Sequence, residues 1–353
     1  MNQEARNQTA SAESKQPAAL AKRKPIDMHV HIVGNGTGGT GCRVHVTGWH
    51  RPVAALMLRN FHLPVSALKG DLDRLYVEQL LEYVRGSSLE AAVILAQDEV
   101  RDEQGRVMEG VGSFYVPNDY VLKLALEHAE FLPAVSIHPA RPDAMEELER
   151  CLAAGAVMMK CLPNCQNIDC NDRRYTKFWE RMAGAKLPLL AHTGGEHTVP
   201  VVRKEFANPR ILELPLQCGV TVIAAHCATK SGLFDPEYFF DFARMTREYP
   251  NLYGDTSAFN VPMRGRHIPK CLEQPLVDRM VHGSDVPVPV HGHFAWLRGF
   301  LGWKAFRQWE KQPNVLERDY QFKVAMGFPP ESFTRIYDLL RPVKRLTSAR
   351  IKT

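Results

Sequence analysis

Two histidines stand two residues apart in the segment IDMHVH, at His29 and His31. Further along, short apolar runs end in Lys160, His192, His226 and Asp285. Imidazole nitrogens and carboxylate oxygens are the donors taken by zinc and divalent ions of similar preference. Four histidines and one aspartate are too many for a closed tetrahedral site. They fit one open catalytic ion with substrate-facing groups beside it, or two ions sharing a bridge. The chain has 14 histidines, and a lone histidine in an apolar strand is more often a hydrogen-bonded core residue. The joint pattern carries the reading, not any single member.

Side chains so far apart in sequence need a frame that gathers them. Strand-like runs begin at 26 (IDMHVH), 91 (AAVILA), 132 (LPAVSIH), 156 (AVMMKC), 187 (LPLLAH), 220 (VTVIAAH), 251 (NLYGDT) and 280 (MVHGSD). From the third run on, the starts lie 24, 31, 33, 31 and 29 residues apart, close to the roughly 30 residues of one βα unit. Between the runs, residues 71–85 carry Leu72, Leu75, Tyr76, Leu80 and Tyr83 at helical spacing, with Asp71 as the N-cap. Residues 142–154 open with a proline and stop at Gly155, and residues 235–249 open with Asp-Pro. Eight such units predict a single α/β domain, a (β/α)8 TIM barrel over about residues 25–345. Strands alternate their side chains, so His29 and His31 face one way, with Asp27 on the same side. Barrel enzymes place their chemistry at the C-terminal ends of the strands, where the polar residues fall.

Two connections are long, from about 32 to 70 after the first strand and again after the eighth, where Pro287, Pro289, His291, His293, Trp296 and Trp303 lie. Such loops read as lids or substrate walls. Gly34, Gly36 and Gly39 match a dinucleotide-binding spacing, but no helix opens there, so the stretch reads as loop. The eight cysteines lack the paired spacing of a structural zinc site and read as thiols.

Composition agrees: 353 residues, 45% hydrophobic and 24% charged, describe an ordinary globular chain. Residues 1–24 read as a disordered polar leader without a signal peptide, and 346–353 as a basic tail. The net charge of +5 sits largely at the two ends, without the basic stripe of a nucleic-acid binder. No apolar run reaches the roughly 20 residues of a membrane span. The expectation is a cytoplasmic homo-oligomer acting on a small molecule, with no nucleic-acid or membrane partner.

The segments IDMHVH, VMMKCLP, LLAHTGGEH, VIAAHC, NLYGDTSA and VHGSDVP resemble the amidohydrolase superfamily of metal-dependent hydrolases, and more closely its amidohydrolase-related branch. The resemblance runs from about residue 25 to 340. It implies His29, His31 and Asp285 as ligands of a buried divalent ion, with zinc expected, and His192 and His226 as ligands of a second ion. In a one-ion centre, His192 joins the first ion and His226 polarises substrate. Lys160 matches the lysine that some members carboxylate to bridge two ions. Its other role, as a free cation pairing with a substrate carboxylate, stays open, because carboxylation needs a neutral amine. The implied chemistry is attack of metal-activated water on an amide, cyclic amide, lactone or ester carbonyl, with Asp285 as general acid–base. A metal-dependent decarboxylase of aromatic or unsaturated acids is the alternative, and a silent binding barrel the third reading. His138, Glu196 and Asn164, next to strand ends, are candidate substrate contacts.

Overall fold

The structure is a computed structural model that describes residues 23–48 and 50–343. The basic tail, most of the polar leader and Trp49 lie outside those residues. Eight parallel strands form one sheet in strict chain order. They are β1 (Ile26–His31), β2 (Ala91–Leu95), β3 (Phe131–Val135), β4 (Met158–Cys161), β5 (Leu189–Ala191), β6 (Val222–Ala224), β7 (Leu252–Asp255) and β8 (Met280–Val281). Each falls within or against a run expected from sequence. The ring closes where β1 meets the chain at and beyond β8, through Met28 N–H to His282 O, Asp285 N–H to His29 O and His31 N–H to Val286 O, at 3.1, 2.9 and 2.9 Å. This is the expected (β/α)8 barrel.

Alternating residues fill the barrel: Met28, Val93, Leu132, Met158, Leu190 and Ile223 pack into one interior cluster. A larger apolar layer lies between the strands and the surrounding helices. The alternation of β1 slips, however. Its pairing with β2 is irregular between Asp27 and Val30, as at a bulge. Ile26 and Met28 therefore point into the barrel. Asp27 does not share the side of His29 and His31, contrary to simple alternation. It lies within electrostatic reach of Lys323 and Asp319, which belong to a helix outside the ring. Burial pushes its carboxyl up to about 6.

The named helices are α1 (His50–Asn60), α2 (Leu72–Arg85), α3 (Asn118–Glu127), α4 (Ala144–Ala153), α5 (Thr176–Gly184), α6 (Phe239–Glu248), α7 (Trp303–Trp309) and α8 (Val315–Ala325). Asp71 precedes α2 but makes no side-chain cap bond; Arg74 claims its carboxylate at 2.6 Å. Asp73 does more, receiving Asn35 N–H at 2.8 Å and Gly36 N–H at 3.1 Å. It so ties down the glycine-rich loop, and a Cβ at Gly34 would lie 2.6 Å from its Oδ1. Helix α6 starts four residues later than expected at 235. The Asp235 carboxylate instead caps a turn, accepting from Ser231 and Gly232 N–H.

The loop after β1 is not plain coil. It carries α1 and a two-residue strand, Arg43–Val44, paired antiparallel with Phe114–Tyr115 from the loop after β2. That second long connection was not expected. All eight cysteines are free thiols. Among the described residues no helix is long and apolar enough to cross a membrane.

Candidate metal centre

The six side chains at the strand ends form one cluster at the C-terminal mouth. Asp285 Oδ1 lies 3.2 Å from both His29 Nε2 and His31 Nε2, and Asp285 Oδ2 lies 4.0 Å from His226 Nε2. Lys160 Nζ is 3.1 Å from His29 Nε2. The His192 and His226 ring centres are 5.1 Å apart. Ligand atoms of His29, His226 and Asp285 all lie within 4.8 Å of one another.

Backbone geometry aims several of these groups. The β1 bulge turns His29 and His31 toward the mouth. His226, Cys227 and Ala228 are three consecutive non-glycine residues with φ of 59°, 51° and 54°, and Asp285 has φ 69°. Left-handed backbone costs roughly 1–2 kcal/mol at such a residue. Here it is held by Asp255, whose Oδ1 accepts His226 N–H at 2.7 Å, and by Thr229, whose hydroxyl donates to His226 O at 2.7 Å. Strain of this kind gathers where a side chain must point somewhere specific.

Asp255, at the end of β7 and fully buried, was not among the expected site residues. Its Oδ2 lies 2.7 Å from His29 Nδ1. Holding the proton on Nδ1 leaves Nε2 as a lone-pair donor facing the cluster, the arrangement that orients metal-ligating histidines. His226 Nδ1 lies 3.1 Å from Ser257 O and 2.8 Å from Ser257 Oγ, which leaves its Nε2 in the same role. Arg264 was also missed. It is buried and donates to Gly195 O at 2.7 Å.

The electrostatics suit cation ligation, which needs neutral imidazoles. Burial, aided by Lys160, holds His29 well below the ordinary histidine range. Burial and then Arg264 do the same for His226. Burial also lowers His192 and depresses the Lys160 ammonium, against the opposing pull of Asp285 and Asp255. Burial alone would raise Glu196, yet its carboxyl is lowered. With His192 held neutral, that lowering rests on the Thr198 donors and Arg264. The fit to an ion has a direct sign: His192 Nε2 is buried without a hydrogen-bond partner, 3.6 Å from Glu196 Oε2. An orphaned imidazole nitrogen beside two tautomer-fixed histidines and a carboxylate is the donor set of a divalent metal.

Above the cluster lies a cavity of about 1000 Å³, its open mouth included. His31, Lys160, His192, Glu196, His226 and Asp285 form its polar end. The remaining wall is largely apolar: Val53, Ala54, Met57 and Leu58 of α1 roof it, and Phe114 and Val199 stand at the sides. Of the three candidate substrate contacts, only Glu196 reaches this cavity. His138 is used internally: its Nε2 lies 2.9 Å from Gln166 O, and its Nδ1 accepts Ala140 N–H at 3.2 Å. Asn164 is buried, and its carbonyl accepts Val202 and Arg203 N–H at 2.9 Å each. Both hold loops together and neither lines the cavity.

The sequence model of the amidohydrolase family matches residues 26–318. An uncharacterized TIM-barrel protein from Bordetella bronchiseptica superposes with a TM-score of 0.54 at 18% identity, over 85% of this chain and 99% of that one. An amidohydrolase 2 from Bifidobacterium longum subsp. infantis gives 0.43 at 15%, over 86% and 99%. A dihydroorotase from Campylobacter jejuni gives 0.41 at 13%, over 90% and 83%. None of the curated proteins matches this chain.

Proposed function

This chain belongs to the amidohydrolase family, and from that premise we propose that it is a metal-dependent hydrolase of a small, largely apolar amide, cyclic amide, lactone or ester. His29, His31, His192, His226 and Asp285 would hold one or two divalent ions, zinc being the best match to the donors. A bound ion supplies Lewis acidity toward a carbonyl and brings the pKa of water from 15.7 to about 7.

The chain's own groups do the rest. Asp285 faces the cavity with one oxygen near two imidazoles and the other toward His226. It can take a proton from water and return it to the leaving group. His226, whose Nε2 keeps its lone pair while Nδ1 faces Ser257 O, can accept a hydrogen bond from the attacking water or a substrate N–H. Asp255 fixes the His29 tautomer and holds the His226 backbone. Glu196, ionised at the cavity wall, favours substrates that offer an N–H or O–H over those that bring a second negative charge. The apolar roof excludes water and strengthens each of these interactions.

The single observation that carries this reading is the Asp285 carboxylate, open to the cavity and held among three histidines. The test is turnover of amides, lactones and esters with apolar acyl groups in water enriched in oxygen-18. Hydrolysis places one labelled oxygen in the acid product and stops when the metal is removed by a chelator. Acid product without label would refute it.

A second reading, decarboxylation, draws on a different observation. Among the described residues, Lys160 is the one lysine or arginine that lines the cavity, set below apolar walls. A carboxylate paired there loses hydration that neutral carbon dioxide does not need. Carbon dioxide released in place of a labelled acid would select this reading.

A further inference from the structure

Beyond β8 the loop carries a histidine pair, His291 and His293, that the barrel cluster does not use. With Glu310 they form a second group whose ligand atoms lie within 4.8 Å of one another. We infer that His291, His293 and Glu310 form a separate divalent-cation site of the zinc class on the protein surface. None of the three lines the active-site cavity, so this inference does not rest on the proposed reaction.

His291 lies in the loop, His293 opens a short helix (His293–Leu297) one glycine later, and Glu310 follows directly after α7. The carboxylate is fixed before any ion arrives. Its Oε1 lies 2.7 Å from His291 Nδ1, and its Oε2 accepts Gly292 N–H at 2.8 Å. Oε1 also lies 3.6 Å from His293 Nδ1, so one oxygen sits between both rings. Phe306 of α7 meets the His293 ring edge-on at 5.0 Å and stacks on Trp296 at 5.1 Å. Arg318 of α8 donates to Val290 O at 3.0 Å and anchors the chain just before His291. Donors held this firmly lose little freedom on binding.

The donor set decides the kind of cation. Two imidazoles and one carboxylate, with solvent in the fourth position, match zinc and its borderline neighbours. Calcium and magnesium want more oxygen ligands. Both histidines remain part-exposed, with side chains 44% and 61% accessible, so an ion can enter from solvent. Once bound, it would join the β8 loop to the end of α7. The same loop supplies Pro287 and Val288 to the active-site wall, so the ion would brace that wall from outside.

The test is a zinc titration of the holoenzyme, with metal per chain counted after gel filtration. The wild type is expected to take up one equivalent more than His293→Ala. Glu310→Gln should bind that equivalent at least tenfold more weakly. His29→Ala should still take it up, because the barrel ligands are not involved. Added zinc should also raise the Tm of the wild type more than that of His293→Ala, by mass action. Equal zinc uptake by the wild type and both folded surface variants would overturn the site. Loss of the extra equivalent in His29→Ala alone would overturn it too, by assigning that ion to the barrel.

Discussion

Replacing Asp255 with asparagine removes one charge and almost no volume from beneath the metal cluster. The carboxylate accepts hydrogen bonds from His29 Nδ1–H and His226 N–H, each at 2.7 Å, and from Ser257 N–H at 3.2 Å. Asparagine has one acceptor oxygen and one NH2 group. Whichever way it turns, its NH2 faces either a backbone donor or the His29 nitrogen. In the first case a buried donor loses its partner. In the second, His29 is driven to the other tautomer and its Nε2 lone pair is lost to the metal. Hydrogen bonds to a charged group contribute about 1.5–3 kcal/mol against about 0.5–1.5 for neutral ones. Loss of the outer partner of a metal-ligating histidine weakens binding by about 10–100-fold. That is roughly 1.4–2.7 kcal/mol, and zinc affinity of Asp255→Asn should fall by that amount. Competition against a chromophoric chelator measures it, with circular dichroism confirming the fold. A folded variant that holds zinc within about twofold of the wild type would refute the orienting role.

His29→Ala should lose the barrel metal and turnover while keeping the native circular dichroism spectrum, and near-normal rates would contradict its role. Gly283→Ala sets a Cβ 2.7 Å from the His29 Cβ; overpacking costs about 1–3 kcal/mol, so Tm and metal affinity should fall together. A drop in Tm alone would separate the segment after β8 from the ligand. Burial lowers His138 to about 4, so the unfolded chain takes up its proton first as pH falls. Stability from the neutral ring is complete above pH 6.5 and should be lost between 6.5 and about 4, by about 3 kcal/mol. His138→Gln, which keeps a donor for Gln166 O, should flatten that limb of the denaturation profile, and an unchanged slope would count against the assignment.

The barrel was legible because its signal is local. Apolar runs such as AVMMKC and VTVIAAH, about 30 residues apart, need nothing distant to be read as strands. The polar strand ends were legible for the same reason. The β1 bulge was not, since it depends on pairing with β2 and on closure against the chain after β8. Asp255 was within reach: it ends a strand in NLYGDTSA just as His192 ends LPLLAH. Its role is not legible there, because it serves other side chains rather than the cavity. His138 ends its run in the same way, and only the position of Gln166 O decides that it holds a loop. The antiparallel pairing of Arg43–Val44 with Phe114–Tyr115 joins two loops across the mouth, and two-residue strands carry no periodicity.

Anomalous diffraction at the zinc edge, from crystals of the enzyme loaded with zinc, tests the central claim most directly. The account predicts a peak enclosed by His29, His31, His192, His226 and Asp285 at the barrel mouth. Fully loaded crystals with no anomalous peak among those five side chains would contradict it.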